Sequence, residues 1–210
     1  TRLAQTAMRD VPQGIRSVIL DSAYPLEIDL FRSAASGVQG AFDILFKSCA
    51  NDSQCSAAYP DLEFIFWDTV DWLNDSPVLE RISHPITGQV YNILYTGDTL
   101  ISLVFSSLYA TEIIPFLPSL ITDISYGDFE TANLLSGAML LSDDSVSLGQ
   151  QIAVQCHDEF AVGGEVIAPN EVNERLQAFM DATLTLSVEA MTTLCDMWDA
   201  GAGDAIENQA

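Results

Sequence analysis

Apolar residues recur at helical spacing over most of this 210-residue chain, and this periodicity restricts the fold more than any other feature. Residues 33–50 place Val38, Phe42 and Phe46 on one helical face. A second helix is expected to start at Tyr59-Pro60-Asp61 and to end near residues 74–77. Two more are expected over residues 97–108 and 111–126, and another from Asp128 onward. A last one is expected to run from an Asn170 cap to about Met191. The pattern therefore predicts a mainly α fold.

Residues 78–95 depart from helical spacing. Two runs, 78–83 and 90–95, flank a turn that contains Pro85 and Gly88, which predicts one β-hairpin. Residues 146–156 are apolar, but their spacing does not distinguish a helix from a strand.

The first 20 residues have a different character from the rest of the chain. Residues 1–11 carry a helical pattern that Pro12 and Gly14 end, and residues 15–20 (IRSVIL) form a β-branched run typical of a buried parallel strand. A helix followed by such a strand is half of a βαβ unit, yet no second strand of this kind follows. Because a lone strand leaves its backbone groups unpaired, the expected partner sheet is missing from this sequence.

Charge limits what the chain can bind. Thirty acidic residues against seven basic ones give a net charge of −23, which argues against nucleic acid and anionic membranes as partners. No apolar stretch reaches the length of a membrane span, and the chain opens with neither a signal peptide nor an initiator Met. We therefore expect a fragment or a mature piece of a longer protein, with an acidic, solvated surface.

Four cysteines are compatible with two disulfides in any of three pairings, or with four buried thiols. Cys49 and Cys55 bracket a polar turn after a helix, so a local bridge between them is sterically easy, and Cys156 would then pair with Cys195. The spacings are not those of a zinc site.

Catalytic signatures are absent from the sequence. It contains no G-x-S-x-G elbow and no H-E-x-x-H motif, and we predict neither a cofactor nor a metal. His84 lies in a proline turn and is expected to be structural. His157, Asp158 and Glu159 adjoin Cys156, and the two carboxylates are either an exposed acidic pair or a site for an ammonium group.

Several ordered phrases resemble the tripeptidyl-aminopeptidase-like branch of the α/β-hydrolases, which is related to the proline iminopeptidases. They are the helix from Thr1 followed by IRSVILDS and the Tyr24-Pro25 pair, the Ser48-Cys49-Ala50 segment with Cys55 and Ala57-Ala58-Tyr59-Pro60, the AVQCHDE phrase over residues 153–159, and the closing Cys195-Asp-Met-Trp198. The match spans nearly the whole chain. Residues 201–210 depart from the proline-rich stretch that the family pattern would place there.

The resemblance implies a domain organisation: residues 1–23 as a remnant of the hydrolase core, residues 24–199 as a helical cap and residues 200–210 as a flexible tail. It implies a secreted serine hydrolase of peptidase type whose nucleophile, Asp and His lie outside this chain, which alone would be inactive. Asp158 and Glu159 would bind the free amino end of a peptide or other small acyl substrate.

Two further expectations accompany this interpretation. The apolar residues of the first 20 positions would be covered in the isolated chain by a second copy, a rearranged cap or a swapped segment. The alternative interpretation is a free-standing acidic helical domain that binds a peptide or another protein.

Overall fold

The structure is a computed structural model that describes residues 2–84, 86–139, 147–160 (without the side chain of Glu159), 165–167, 171–183, 187–199, 201, 203–204 and 206. This part of the chain is mainly helical, with one two-stranded antiparallel sheet. The predicted α class with one hairpin is therefore confirmed at that level.

The helices are α1 (Arg2–Asp10), α2 (Leu30–Asn51), α3 (Ser53–Ala58), α4 (Leu62–Asp75), α5 (Gly97–Ser107), α6 (Leu117–Ser125), α7 (Glu130–Met139), α8 (Leu148–Val154), α9 (Glu174–Ala182) and α10 (Val188–Trp198). Short 3-10 turns cover Pro12–Gly14 and Ile114–Phe116, and a π-helical turn, Gln155–Phe160, continues α8. Strands β1 (Val78–Ser83) and β2 (Val90–Tyr95) pair with Val78 opposite Tyr95 and Ser83 opposite Val90.

Contacts divide the chain into two compact units. The first unit consists of Thr1–Gly37 and Ser147–Ala210, and the second is Val38–Val146. Within the described residues no helix combines the length and the apolar character needed to cross a membrane.

Aromatic rings form the centre of the second unit. Phe42 is fully buried, and its ring lies within 6.4 Å, centroid to centroid, of the rings of Phe46, Phe66, Trp67 and Phe105. The helical spacing of α2 and α4 brings these side chains to facing surfaces, since residues three or four apart share a face. Ring contacts of this kind add to the free energy gained from apolar burial.

A close helix approach explains Gly97 at the start of α5. A Cβ at this position would lie 2.6 Å from the Asn74 side chain and from the Val70 carbonyl, both on α4. The Asn74 side-chain oxygen accepts a hydrogen bond from the Gly97 amide at 2.8 Å. Glycine is therefore required here for packing.

The first unit is built around Phe31, Ile152, Cys156 and Met191, which come from α2, α8, the π-helical turn and α10. Asp29 caps α2 by accepting a hydrogen bond from the Arg32 amide at 2.9 Å, and its buried carboxylate also pairs with the Arg32 guanidinium. A charge buried in this way needs such a partner.

The predicted strand over residues 15–20 is wrong. These residues form no ladder, and the Ile19 side chain is 95% exposed. An apolar run adopts strand structure only where a neighbouring strand satisfies its backbone groups, and the described residues offer none.

The predicted single helix from Asn170 to Met191 is also wrong. Asn170 lies outside the described residues; Asn173 caps α9 and Ser187 caps α10, each accepting a backbone N–H with its side chain. Thr183 ends α9 in an extended conformation. Threonine and serine favour caps over helix interiors because their side chains compete for backbone hydrogen bonds.

We predict that Phe42→Ala lowers the free energy of unfolding by about 3–5 kcal/mol, because the cavity would lie among rings that cannot close around it. Urea denaturation monitored by circular dichroism measures the change. Phe116→Ala is the control, since Phe116 is 64% exposed and its loss should cost under about 0.5 kcal/mol. Equal losses in both variants would contradict a core centred on Phe42.

We predict alkaline destabilisation through Tyr95. Burial of this residue raises the pKa of its phenol, partly opposed by a hydrogen bond with Ser136. A raised pKa in the folded state favours the neutral phenol, so this stability is intact below the unfolded pKa of about 10 and is lost as pH rises beyond it.

Urea denaturation between neutral and strongly alkaline pH tests this. Tyr95→Phe should be less stable at neutral pH, because Ser136 loses its partner, but its stability should fall less steeply with rising pH. Tyr126→Phe, at a position 86% exposed, should follow the wild-type curve. If the stability of Tyr95→Phe and that of the wild type fell in parallel with rising pH, ionisation of Tyr95 would not cause the alkaline destabilisation.

Candidate functional site

The acidic segment singled out in the sequence lies on the π-helical turn Gln155–Phe160. A disulfide joins Cys156, which is 2% exposed, to Cys195 on α10, with the two Cα atoms 5.2 Å apart. At the other end of the turn, the Phe160 ring packs edge-on against Phe31 at 5.4 Å between centroids, and the Arg32 guanidinium lies over it at 5.5 Å. Both ends of the turn are therefore anchored in the first unit.

Backbone carbonyls of this turn are also engaged. The Arg2 guanidinium donates a hydrogen bond to the Asp158 carbonyl at 2.9 Å, and the Gly203 amide donates to the His157 carbonyl at 2.8 Å. Arg2 and Gly203 thus attach the two ends of the first unit's sequence to the same turn. Most of the predicted tail 200–210 lies outside the described residues.

Asp158 has a defined side-chain position. One carboxylate oxygen lies 2.6 Å from Nδ1 of His157, and both side chains are a little over 40% exposed. The other carboxylate oxygen has no hydrogen-bond partner among the described residues. A contact between two side chains this exposed contributes little to stability.

Glu159, the second residue predicted to bind an amine, follows Asp158 on the turn, but its side chain lies outside the described residues. The structure therefore places Asp158 and leaves the paired-carboxylate arrangement as a prediction. Within the described residues, no group of three His, Cys, Asp or Glu side chains could hold a metal ion.

His84 takes a structural role in the hairpin turn. Its Nδ1 accepts hydrogen bonds from the amides of Ile86 and Thr87, both at 3.2 Å. This arrangement satisfies two backbone donors of the turn, as the structural interpretation of His84 requires.

The disulfides connect Cys49 with Cys55 and Cys156 with Cys195. The sequence allowed three pairings. The observed one is the pairing expected if Cys49 forms a local bridge with Cys55. Among the described cysteines none is free. Two disulfides are compatible with an oxidising, extracellular environment.

Helix α1 contacts the rest of the first unit through polar side chains. Gln5 donates to the Tyr24 carbonyl at 2.5 Å and Arg9 to the Ile206 carbonyl at 2.6 Å, in addition to the Arg2 contact. Leu3 is 84% exposed, and none of the helix residues is buried. A surface helix normally buries its apolar residues, so Leu3, together with Val11 just after the helix, is apolar surface that the described residues leave uncovered.

The sequence did not reveal Arg2, Phe160 or Arg32 as supports of the acidic turn. Arg2 and Arg32 are far from Asp158 along the chain, and their contacts arise from the tertiary arrangement of the first unit. One local signal was available: Asp29 and Arg32 are three residues apart, the spacing of an ion pair at a helix start.

Comparison of the chain with models of protein families, with curated proteins and with solved structures found no match.

We predict that the two disulfides contribute unequally to stability. The Cys156–Cys195 bond closes a loop with a sequence separation of 39 and the Cys49–Cys55 bond one of 6. On loop-closure entropy, Cys156→Ala with Cys195→Ala should cost about 4 kcal/mol, and Cys49→Ala with Cys55→Ala about 2 kcal/mol.

Thermal and urea unfolding of the two double variants, side by side, provide the measurement. Amide hydrogen exchange should also show faster exchange in residues 155–160 for the first pair only. If the second pair proved the more costly, the Cys156–Cys195 bond would not be the main covalent constraint.

Proposed function

We propose that the chain is the cap-bearing middle section of a secreted serine hydrolase, of the tripeptidyl-aminopeptidase-like type, and that its acidic turn binds the free amino end of the substrate. The observation that carries the proposal is the position of Asp158: a half-exposed carboxylate on a turn that a disulfide and two hydrogen-bonded carbonyls hold in place. The ordered sequence phrases support the family assignment.

Asp158 is suited to an ammonium ligand for chemical reasons. An ionised carboxylate is only an acceptor, and a protonated amine is only a donor, so the two form short, charge-assisted hydrogen bonds. His157 contacts one oxygen and thereby orients the carboxylate, while the other oxygen has no hydrogen-bond partner among the described residues. A rigid support limits the entropy lost when the amine binds.

The exposure of Leu3 on α1 supports the view that residues 1–23 belong to a hydrolase core. In that arrangement the exposed side of α1 and residues 15–20 would pack on a β-sheet formed by sequence outside this chain. The sheet would supply the backbone hydrogen-bond partners that residues 16–20 lack among the described residues. The triad would come from the same flanking sequence, and the helical cap would exclude water from the reaction.

We predict that Asp158→Asn with Glu159→Gln, introduced into the complete hydrolase, reduces the preference for free amino termini. The ratio of kcat/KM for a free peptide to that for its N-acetyl analogue should fall about tenfold or more, since charged hydrogen bonds are lost. Activity on the acetylated substrate should be unchanged.

The control for this test is Glu171→Gln with Asp196→Asn, two exposed acids of the first unit whose removal changes the net charge equally. If the control lowered the ratio as much, long-range attraction by the acidic protein would explain the preference. If the acidic-turn variant kept the ratio, Asp158 and Glu159 would not bind the amine.

We predict that the isolated chain self-associates through its exposed apolar residues near the start. In sedimentation at moderate ionic strength, which screens the charge of −23, the average mass should rise with concentration. Ile19→Asp, at a position 95% exposed, should abolish the rise, whereas Ile86→Asp, at a position 79% exposed in the hairpin turn, should not.

This measurement also separates the two interpretations of the chain. A free-standing binding domain has no need of an uncovered core-facing segment, so a monomer at all concentrations favours it. The flanking sequence of the parent protein gives a direct test: a G-x-S-Y-G motif upstream, with an Asp and a His downstream, is expected for the hydrolase.

A further inference from the structure

A second candidate site lies within the second unit, apart from the acidic turn. A cavity of about 630 Å³ opens where the end of α2, helix α3 and the start of α4 meet. Its lining residues include three aromatic residues, Phe46, Tyr59 and Phe64, and two acidic residues, Asp61 and Glu63. The volume falls within the range of small-molecule pockets. The Cys49–Cys55 disulfide links α2 to α3 beside this cavity.

Two of the rings are free to contact a ligand. Tyr59 is half-buried and Phe64 is 69% exposed, and neither makes a ring contact with any described residue. Phe46, in contrast, packs its ring on Phe66 at 5.4 Å and is 4% exposed, so it forms a fixed wall. Exposed aromatic rings at a cavity offer their negative faces to a cation.

The charged residues around the cavity also favour a cation. Asp61 and Glu63 are exposed and make no ion pair within the described residues. Lys47 also lines the cavity, but its ammonium lies 2.5 Å from Asp43. Hydrogen bonds from Lys47 and Gln39 lower the pKa of Asp43, which keeps that carboxylate ionised and offsets the lysine charge.

The start of α4 contributes about half a positive charge from its helix dipole, which the two carboxylates outweigh. The local field is therefore negative, as is that of the whole chain. We propose that this cavity binds a small organic cation of the quaternary-ammonium type, held by the rings of Tyr59 and Phe64 and by the charges of Asp61 and Glu63. The inference goes beyond the proposed hydrolase function and does not depend on it.

A titration of the ¹⁵N-labelled 210-residue chain with choline, followed by amide shifts, tests the proposal. Its neutral isostere, 3,3-dimethyl-1-butanol, is the matched ligand control, because it has the same shape without the charge. Choline should shift amides of residues 46–64 in a saturable manner, and the alcohol should bind at least about threefold more weakly. Equal binding of the two, or no saturable shift with choline, would overturn the proposal.

Three variants separate the contributions. Phe64→Leu keeps an exposed apolar side chain without the ring and should weaken choline about three- to fivefold. Asp61→Asn with Glu63→Gln should weaken it about fivefold, while Asp75→Asn with Glu112→Gln, at exposed positions outside the cavity, should leave it unchanged.

If the control pair weakened choline as much as Asp61→Asn with Glu63→Gln, binding would be a general effect of the −23 charge and the site would be refuted. Amide spectra of each variant establish whether it is folded. Should Asp61→Asn with Glu63→Gln misfold, Phe64→Leu and the isostere still decide the outcome.

Discussion

Self-repulsion of a net charge of −23 is the constraint that the rest of this fold has to overcome. Seven basic residues cannot neutralise thirty acidic ones, so stability has to come from apolar burial and covalent links. Each unit meets this need differently. The second unit packs a group of aromatic rings around Phe42, and the first unit combines the core at Phe31 and Met191 with the Cys156–Cys195 bond.

Three of the five arginines of the first unit connect separate parts of that unit. Arg2 and Arg9 attach α1 to backbone carbonyls far away in the sequence, and Arg32 contacts both the buried Asp29 and the Phe160 ring. A guanidinium suits this role because its planar set of donors can serve several acceptors and still stack on a ring. These contacts hold the acidic turn at Asp158 in place despite the mutual repulsion of the chain's acidic side chains.

Acidity also connects the two candidate sites, which favour ligands of the same sign by different chemistry. In the proposed amine site, Asp158 would accept hydrogen bonds from a primary amine with the carboxylate oxygen that has no partner among the described residues. In the proposed cation site, the aromatic residues Tyr59 and Phe64 and the acidic residues Asp61 and Glu63 line the cavity, a combination that suits a cation with no N–H to donate. Because the chain's field attracts any cation, charge alone gives no selectivity, and the local donor and acceptor geometry has to provide it.

The sequence by itself determined the α class, the hairpin and the faces of α2 and α4, because apolar spacing of 3.6 or 2 residues records which side of an element is buried. It also pointed to Asp158 and to a compatible cysteine pairing. It could not determine that residues 15–20 are no strand here or that two helices replace the expected one after Asn170. Strand formation needs partners distant in sequence, and the Ser187 cap competes with helix continuation only in its tertiary setting.

Only the tertiary structure decided how the sites are assembled. Arg2 reaches Asp158 across 156 positions of sequence. Packing that no local pattern records leaves the rings of Tyr59 and Phe64 without a ring contact among the described residues. The contacts of α1 were likewise decided by the tertiary structure. Its periodicity indicates an apolar side but does not show which side faces the rest of the protein. Periodicity is a local property, whereas the choice of contact surface depends on which other surfaces are present to bury it.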